Sequence, residues 1–444
     1  MFGHVQPGPP DPMFTLKRDA DNDTCTEKVD LGVGIYRSEK GSYQELEVVK
    51  KVLPKDSAPA KLELDELDLG HDYELTIGDA DFLRLAAEVM FGAHSDALQT
   101  GRIQQVKDTN FGIQVSSVQT ISGTGANSLG ALFISKVMEP KPRIYIGVPT
   151  WGNHIPIFQD TGLETTTYPY LDASKHTVSF TALLDTVRSA AQGSIFVLQG
   201  CCHNPTGVDL SLSQWEELAC EMKCYGHLPF FDTAYQGLGD GLDEDAAGVR
   251  VFVDAGIEML VCQSFSKNFA LYGERCGALH FVGNSQEVAA NVQDRLRSLI
   301  RHTYSSAPAY GSRLVKIVLN DADLRKEWQV GVREVSVFHP LTTGFRTSET
   351  DGMRKRLKRN RQALYDELAI RLKTPGDWSY LMKEKGLFSC LALSQSQCRE
   401  LVETYHVHLP GSGRINLAGL SEENVKRAAQ AIDKVTRIHV NGKL

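Results

Sequence analysis

A lysine flanked by serines and followed by an arginine carries the clearest chemistry in this sequence. The segment Gln263-Ser264-Phe265-Ser266-Lys267-Asn268-Phe269 follows an apolar run at 259–262, and Gly273-Glu274-Arg275 comes shortly after it. Desolvating an unpaired ammonium group is costly, so a lysine beside a buried strand suggests a chemical role. Hydroxyl groups and a guanidinium suit a phosphate. The segment therefore indicates pyridoxal 5'-phosphate held by Lys267 as a Schiff base, with a surface lysine as the alternative.

Polar residues follow three other apolar runs in the same way. They are Asp232 in Phe230-Phe231-Asp232-Thr233-Ala234-Tyr235, His203-Asn204-Pro205-Thr206-Gly207 after 195–198, and Ser122-Gly123-Thr124-Gly125 between 115–121 and a helical pattern at 126–138. Open α/β sheets bind their ligands at the carboxyl ends of strands. Each segment alone also fits a strand-end cap or an ordinary turn. Their combination predicts one active site.

In this order, the segments resemble the aspartate aminotransferases of the aminotransferase class I family, which are fold-type I pyridoxal phosphate enzymes. The resemblance runs from about Val29 to about Val435. Further matching segments are Leu31-Gly32-Val33-Gly34-Ile35-Tyr36-Arg37, Pro149-Thr150-Trp151 with Asn153-His154, and Ser412-Gly413-Arg414-Ile415-Asn416.

The alternation of β-like and amphipathic segments from about 45 to 330 predicts an α/β fold with a doubly wound, mostly parallel sheet flanked by helices. The resemblance adds a smaller α+β domain at 15–44 and 331–444, beside the large cofactor-binding domain at 45–330. Residues 1–14 are proline-rich and predict an extended arm, and the resemblance implies that this arm packs on a partner subunit. Ser213-Gln214-Trp215-Glu216 has the spacing of a capping box that opens one helix.

Composition excludes several classes of protein. The chain has 444 residues, a net charge of -8 and 42% hydrophobic residues, which argues for a globular protein that binds no nucleic acid. No apolar run approaches the roughly 20 residues of a membrane span. The N-terminus lacks a secretory or organelle signal, and Gly442-Lys443-Leu444 only faintly resembles a peroxisomal one, so the cytoplasm is expected.

The nine cysteines are expected to be reduced structural thiols, and no metal is expected. Cys220 and Cys224 are four residues apart on a predicted helix, with His227 nearby. A metal site there is the less favoured interpretation.

The resemblance implies a catalytic role for each residue around the cofactor ring. Lys267 binds the cofactor and then carries the proton as a base. Asp232 pairs with the ring nitrogen and His154 supports it. Asn204 and Tyr235 hydrogen-bond the phenolic oxygen.

Other matched residues contact the cofactor's face and its phosphate. Trp151 stacks on the ring. The phosphate is expected to bind Ser122, Gly123 and Thr124 at a helix N-terminus, together with Ser264, Ser266 and Arg275. Tyr73 reaches the phosphate from the other subunit, so the resemblance implies a homodimer with shared active sites.

Arginine is the side chain best suited to bind the carboxylates of a substrate, because its guanidinium can donate two parallel hydrogen bonds. Arg414 matches the residue that binds the α-carboxylate, with Gly34 packing nearby, and Arg301 matches the partner-subunit residue that binds the side-chain carboxylate. The resemblance also places Trp151 and Asn204 beside the substrate.

Four departures from the family pattern bear on the range of substrates. Ser306 replaces an asparagine, and serine is seen in relatives that accept aromatic substrates. Gln199 replaces a common histidine, Asn127 differs at the start of the phosphate helix, and Pro410-Gly411 precedes the Ser-Gly-Arg segment.

Two segments interrupt the resemblance. Residues 55–69 are long and acidic and predict a surface loop. Residues 336–353 contain Pro340, Gly344 and Gly352, which disfavour the continuous interdomain helix of the family. The second segment is either a loop extruded from that helix or a translated intron.

The favoured function is transamination between L-aspartate and 2-oxoglutarate. One alternative is an aminotransferase for aromatic or specialised dicarboxylic amino acids in secondary metabolism. Another is an inactive binding relative, against which the presence of Lys267, Asp232 and Arg414 argues.

Overall fold

A computed structural model describes residues 12–39, 41, 43, 45–52, 73–93, 95, 98, 105–108, 112–329 and 349–441. Its helices are α1 (Pro12–Asn22), α2 (Glu47–Val52), α3 (Ala80–Phe91), α4 (Ser122–Val137), α5 (His154–Asp160), α6 (Phe180–Ser189), α7 (Leu212–Tyr225), α8 (Ala247–Asp254), α9 (Gln286–Thr303), α10 (Ala309–Asn320), α11 (Ala322–Gln329), α12 (Glu349–Tyr365), α13 (Gln395–Tyr405) and α14 (Val425–Asn441). A π-helical segment, Asp366–Arg371, follows α12.

The strands are β1 (Val29–Asp30), β2 (Gln105–Asp108), β3 (Gly112–Val115), β4 (Ser117–Ile121), β5 (Ile144–Val148), β6 (Thr165–Pro169), β7 (Leu171–Asp172), β8 (Thr177–Val178), β9 (Ile195–Gln199), β10 (Leu228–Thr233), β11 (Met259–Ser264), β12 (Cys276–Val282), β13 (Phe388–Cys390), β14 (Val407–His408) and β15 (Arg414–Asn416). A seven-stranded sheet has the spatial order β4, β12, β11, β10, β9, β5, β6. Strand β12 runs antiparallel to both of its neighbours, β11 and β4, and the other strand pairs of this sheet are parallel.

Helices cover both faces of this sheet because its central strands are apolar on both sides. Side chains alternate between faces along a strand. Phe196 and Phe231 belong to one buried cluster and Val197 and Phe230 to the other. The predicted α/β fold with a mostly parallel sheet is confirmed.

The chain divides into two compact units. The larger comprises the described residues of 45–204 and 208–355, and the smaller comprises those of 1–44, 205–207 and 356–444. The domain boundary predicted at 330 and 331 falls outside the described residues.

Within the smaller unit, β1 pairs with β14 and β13 with β15. The Arg361 guanidinium lies 3.0 Å from the Glu384 carboxylate and donates to the carbonyls of Gly386 and Phe388 at 3.0 and 2.5 Å. Both charged side chains are almost fully buried. Burial raises the pKa of Glu384 to about 7, although Arg361 opposes the rise. This buried pair fixes the chain where it enters β13.

Two local predictions need correction. The capping box of α7 is formed by Ser211 and Gln214 rather than by Ser213 and Glu216, because Ser211 has the extended backbone of an N-cap and Leu212 begins the helix. The predicted arm at 1–14 lies outside the described residues up to position 11. Its last three residues form the first turn of α1, since proline is tolerated at the first helical position.

The end of the predicted insertion at 336–353 is helical. Helix α12 begins at Glu349, the Thr350 hydroxyl donates to the Trp328 carbonyl at 2.7 Å, and Met353 is buried. These contacts make 349–353 part of the packed larger unit. The rest of the segment, like most of 55–69, lies outside the described residues. Among the described residues, no helix combines the length and the apolar composition that a membrane crossing requires.

Candidate active site

Parallel strands deliver the site residues to one edge of the large sheet. Strands β9, β10 and β11 end beside one another, and α4 begins directly after β4. A cleft at this edge is lined by Ser122, Gly123, Thr124, Trp151, Gln199, Asn204, Asp232, Ala234, Tyr235, Ser264, Lys267 and Arg275. The three predicted segments and the lysine segment therefore meet in one place within the larger unit.

Lys267 follows β11 and extends into this cleft. Its Nζ lies 5.3 Å from the centroid of the Tyr235 ring. Burial lowers the pKa of Lys267 to about 8, the Asp232 charge opposes this change, and the Arg275 charge adds to it. The amine is therefore neutral in a larger fraction of molecules near neutral pH than an exposed lysine, and a neutral amine can act as a nucleophile or a base.

Asp232 is held by a buried histidine. His154 Nε2 lies 3.0 Å from Asp232 Oδ2, and His154 Nδ1 lies 2.8 Å from the Thr150 hydroxyl. The Trp151 ring meets the His154 ring edge to face, with centroids 5.2 Å apart. These contacts orient the carboxylate toward the cleft, where it can pair with a cationic group of a ligand.

Two hydrogen-bonding side chains meet opposite Lys267. Asn204 Nδ2 donates to Tyr235 Oη at 3.3 Å, and both residues are buried. An amide and a phenol at this position can both donate to an oxygen atom of a bound ligand.

Three hydroxyl groups from two segments cluster beside the cleft. Ser122 Oγ lies 3.0 Å from Ser264 Oγ and 2.6 Å from Ser266 Oγ, and all three serines are buried. The Arg275 guanidinium lies 3.4 Å from Ser266 Oγ and donates to the Tyr272 carbonyl at 2.8 Å. Burial lowers the pKa of Arg275. Buried hydroxyls beside a desolvated cation form a set of donors for an anion.

The start of α4 adds backbone donors to this set. Ile121 occupies the N-cap position without a side-chain hydrogen bond. Helix N-termini present free amides and a positive dipole to anions. A Cβ on Gly123 would lie 3.1 Å from the Cβ of Ser264, so glycine permits this close approach. Thr124, one residue on, is exposed.

Arg414 and Gly34 belong to the smaller unit. Arg414 Nη2 donates to the Gly32 carbonyl at 2.8 Å, and its guanidinium carbon lies 4.5 Å from the centroid of the Phe388 ring. A Cβ on Gly34 would lie 2.6 Å from Phe388 Cζ, so this position excludes a side chain. Phe388 thus packs against both predicted substrate-binding residues.

Arg301 and Tyr73 lie outside the set of lining residues. Arg301 is exposed in the last turn of α9, and its Nη1 donates to the Ser305 hydroxyl at 2.5 Å. Tyr73 is 85% exposed. Both residues were predicted to act in the site of a second copy of the chain, and their exposed positions are compatible with that prediction.

Gln199 was noted as a departure but was not predicted to be a site residue. It ends β9 next to Asp232 of β10 in the sheet register, and it lines the cleft. The same signal that identified Asp232, a polar residue at the end of an apolar run, was present at this position. Ala234 also lines the cleft and carries no comparable signal.

The cysteines were expected to be reduced thiols without a bound metal. All nine are free thiols, and Cys220 and Cys224 are exposed. Cys201, Cys202 and Asp245 bring possible ligand atoms within 4.8 Å of one another. The Asp245 carboxylate already accepts three backbone N–H groups, two on Oδ2 and one on Oδ1.

Comparisons with known proteins give a consistent result. The chain matches a family model described as aminotransferase class I and II over residues 26–432. It is 38% identical to aspartate aminotransferase 1 of Medicago sativa over 99% of this chain and 96% of that protein. It also resembles the solved structure of the cytoplasmic aspartate aminotransferase of Saccharomyces cerevisiae, with 35% identity, 99% of both chains covered and a TM-score of 0.87. An aromatic-amino-acid aminotransferase from Burkholderia pseudomallei, solved with covalently bound pyridoxal phosphate, gives 33% identity over 98% of this chain and 99% of the other, with a TM-score of 0.86.

Proposed function

The chain belongs to the aminotransferase class I and II family, and from this premise we propose that it transfers the amino group of L-aspartate to 2-oxoglutarate. The products are oxaloacetate and L-glutamate, and the cofactor is pyridoxal 5'-phosphate. Relatives named aspartate aminotransferase, matched over nearly their whole length, support this activity.

One observation carries the proposal. Burial lowers the pKa of the Lys267 amine. This amine shares a cleft with the Asp232 carboxylate and with the hydroxyl and guanidinium donors around Ser122 and Arg275. A covalent cofactor with a cationic ring and a phosphate needs these three kinds of group together.

The residues present fit pyridoxal 5'-phosphate. Its phosphate matches the donor set of Ser122, Gly123, Thr124, Ser264, Ser266 and Arg275. Its ring nitrogen matches the Asp232 carboxylate, and its phenolic oxygen matches the donors Asn204 and Tyr235. Trp151 supplies an aromatic face. When bound, the cofactor serves as the sink for the electrons left behind when the substrate's α-proton departs.

Lys267 is the residue that we assign to covalent attachment and to proton transfer. Its amine would hold the cofactor until an incoming amino acid takes its place. As a free, neutral amine it would take the proton from the substrate's α-carbon and deliver that proton on the cofactor side. Burial lowers the pKa of Lys267 to about 8, so a larger fraction of this amine is neutral near neutral pH than at an exposed lysine.

Asp232 and the Tyr235–Asn204 pair set the charge around the reacting atoms. Asp232 would hold a proton on the ring nitrogen, and His154 keeps the carboxylate in place. Asn204 and Tyr235, which contact each other, would stabilise negative charge on the phenolic oxygen by donating hydrogen bonds to it.

We assign recognition of the substrate's two carboxylates to two arginines. Arg414 binds the α-carboxylate, with Gly34 beside it. Arg301, supplied by a second copy of the chain, binds the side-chain carboxylate, and Tyr73 of that copy reaches the phosphate. The functional unit in this proposal is a homodimer.

Aromatic amino acids are the second candidate substrates. The likeness to the Burkholderia aromatic-amino-acid aminotransferase favours them, and so does Ser306, which replaces the asparagine common in aspartate enzymes. Phenylalanine and aspartate therefore have to be compared directly.

We propose the cytoplasm as the location. A relative from rice is named cytoplasmic, whereas others are named mitochondrial or chloroplastic. The three C-terminal residues that faintly resemble a peroxisomal signal lie outside the described part of the chain.

A half-reaction screen tests the proposed function. Purified protein loaded with pyridoxal phosphate is mixed with single amino acids while the absorbance of the cofactor is followed. Aspartate and glutamate should convert the cofactor to its amine form, and 2-oxoglutarate should reverse the change. The proposal is wrong if neither dicarboxylic amino acid reacts. A fast reaction with phenylalanine alone would favour the second candidate.

A further inference from the structure

Gln199 lies next to both Asp232 and Asn204, the residues assigned to the ring nitrogen and the phenolic oxygen of the cofactor. It is the last residue of β9, is partly buried, and is the register neighbour of Asp232 on the adjacent parallel strand. Register neighbours on adjacent strands point to the same side of a sheet. Both side chains accordingly line the cleft, although the proposed function gives Gln199 no part in the chemistry.

The Gln199 amide clamps the backbone of Asn204. Asn204 N donates to Gln199 Oε1 at 2.8 Å, and Gln199 Nε2 donates to the Asn204 carbonyl at 3.0 Å. Two opposed hydrogen bonds to one residue fix its orientation as well as its position. The following Pro205 further restricts the Asn204 backbone. The clamp thereby sets the direction from which Asn204 donates to Tyr235.

The same amide group also reaches the histidine that holds Asp232. Gln199 Nε2 lies 3.3 Å from Thr150 Oγ1, which lies 2.8 Å from His154 Nδ1. His154 Nε2 in turn lies 3.0 Å from Asp232 Oδ2. Hydrogen bonds therefore form a relay that runs from Gln199 through Thr150 and His154 to Asp232.

The direction of this relay follows from the donor and acceptor capacity of each group. An amide NH₂ can only donate, so the Thr150 oxygen accepts from Gln199 and its hydroxyl hydrogen is left for His154 Nδ1. A carboxylate can only accept, so His154 Nε2 carries the hydrogen that is donated to Asp232. The Thr150 end of the relay thus favours an Nδ1 that accepts, and the Asp232 end favours a hydrogen on Nε2.

We infer that Gln199 is a positioning residue that orients Asn204 and sets the tautomer of His154 beside Asp232. The inference rests on the proposed function only for its effect on turnover. The clamp and the relay are properties of the protein itself. Gln199 makes no contact with the reacting atoms in this account.

Replacing the amide by a carboxylate reverses the relay. In Gln199→Glu the side chain keeps its length, but both terminal atoms become acceptors. Thr150 would then donate to residue 199, and its oxygen would accept from a protonated His154 Nδ1. The amide-to-carboxylate change at the exposed Gln192 is the matched control.

Nitrogen NMR of histidine-labelled holoenzyme at one fixed, near-neutral pH measures this change directly. The His154 signals are assigned by their loss in a His154→Asn variant. Wild type and Gln192→Glu should show Nε2 protonated and Nδ1 unprotonated. Gln199→Glu should show both nitrogens protonated. Equal His154 spectra in Gln199→Glu and wild type would overturn the inference.

A double variant tests whether Thr150 carries the effect. In Gln199→Glu/Thr150→Val the hydroxyl is missing, so the carboxylate should no longer change the protonation of His154. A His154 spectrum identical to that of Gln199→Glu would rule out the relay. If Gln199→Glu does not fold, the Thr150→Val variant alone decides. In that variant the His154 Nδ1 signal should move to that of a nitrogen that accepts no hydrogen bond. An unchanged signal would overturn the inference.

Turnover gives an independent readout. Gln199→Glu loses one half of the clamp and alters His154, so kcat should fall by about tenfold to a hundredfold while KM changes by less than about threefold. An unchanged kcat together with the predicted NMR change would overturn the positioning role. If the proposed function were wrong, transamination would be missing in wild type as well, while the NMR difference would remain.

Discussion

At the scale of single residues, Lys267 and Asp232 obtain their chemistry from neighbours in other segments of the chain. Lys267 lies beside the Tyr235 ring and near the charges of Asp232 and Arg275, while Asp232 depends on His154. Burial lowers the pKa of Lys267, and this change favours the neutral amine that a base requires. The two residues are therefore expected to respond differently to substitution.

Removal of the Asp232 carboxylate should lower turnover without abolishing cofactor attachment. Asp232→Ala leaves the ring nitrogen without its charge partner, so kcat should fall about a thousandfold or more, and Asp232→Glu should lose less. The exposed Asp254→Ala variant is the control. Near-normal transamination by Asp232→Ala would exclude this role for the carboxylate.

Replacement of Lys267 by methionine should stabilise the cofactor-free protein in a pH-dependent way. The pKa of Lys267 falls from an ordinary value of 10.5 to about 8 on folding. Because the charged form is disfavoured in the folded state, its cost is fully present below about pH 8 and is relieved as the pH rises toward 10.5.

Urea unfolding of wild type and Lys267→Met from pH 7 to pH 10.5 checks this expectation. The variant should be the more stable protein at pH 7, and its advantage should shrink with rising pH. Lys175→Met, at an exposed position, controls for the loss of a lysine side chain. An advantage that grew with pH would contradict the assigned shift.

At the scale of secondary structure, apolar runs predicted the sheet because its strands are buried on both faces. The runs that end at Gln199, Asp232 and Ser264 became the neighbouring strands β9, β10 and β11. Parallel sheets bind their ligands at the carboxyl ends of their strands, so the same apolar runs also predicted the position of the site.

The side-chain contacts of Gln199 could not be predicted from the sequence. The clamp on Asn204 and the bond to Thr150 depend on tertiary geometry that the spacing of Gln199 does not encode. The capping box of α7 shows a different limit. Two overlapping serine spacings fit the motif, and only the backbone of Ser211 decides between them.

The start of α12 should contribute measurably to stability. Met353 is buried, and the Thr350 hydroxyl donates to the carbonyl of Trp328, whose ring stacks on Phe269. Met353→Ala should cost about 2–5 kcal/mol of unfolding free energy and Thr350→Val about 1 kcal/mol. The exposed Lys355→Ala variant is the control, and denaturant unfolding measures all three.

The same contacts distinguish two deletions of the predicted insertion. Deleting 336–348 keeps Thr350 and Met353, whereas deleting 336–353 removes both. The shorter deletion should therefore have the higher melting temperature. The reverse order would show that 349–353 contribute less than their burial indicates.

At the scale of the whole molecule, Arg301 should decide between substrates. A buried guanidinium–carboxylate pair typically loses about 2–5 kcal/mol when one partner is truncated, which is roughly thirtyfold to several thousandfold in kcat/KM. Arg301→Ala should lose that much with aspartate and little with phenylalanine, which has no second carboxylate. Arg297→Ala, one turn earlier on α9, is the control. Equal losses for both substrates would exclude Arg301 as the specificity residue.

Mixing two variants that are each impaired with aspartate tests whether the site is shared between two copies of the chain. In a heterodimer of Lys267→Ala and Arg301→Ala, one site carries both substitutions and the other carries neither. After refolding an equal mixture, roughly a quarter of the wild-type activity with aspartate should return, because half of the dimers each regain one of two sites. Activity no higher than the sum of the separate variants would argue against a shared site.

Borohydride reduction followed by peptide mapping tests whether Lys267 carries the cofactor. Reduction makes the bond between the cofactor and its lysine permanent, so the modified residue can be located by mass spectrometry. We expect one pyridoxal phosphate group per chain, on Lys267, and none in Lys267→Ala. Modification of a different lysine, or no modification of the loaded wild-type protein, would contradict it.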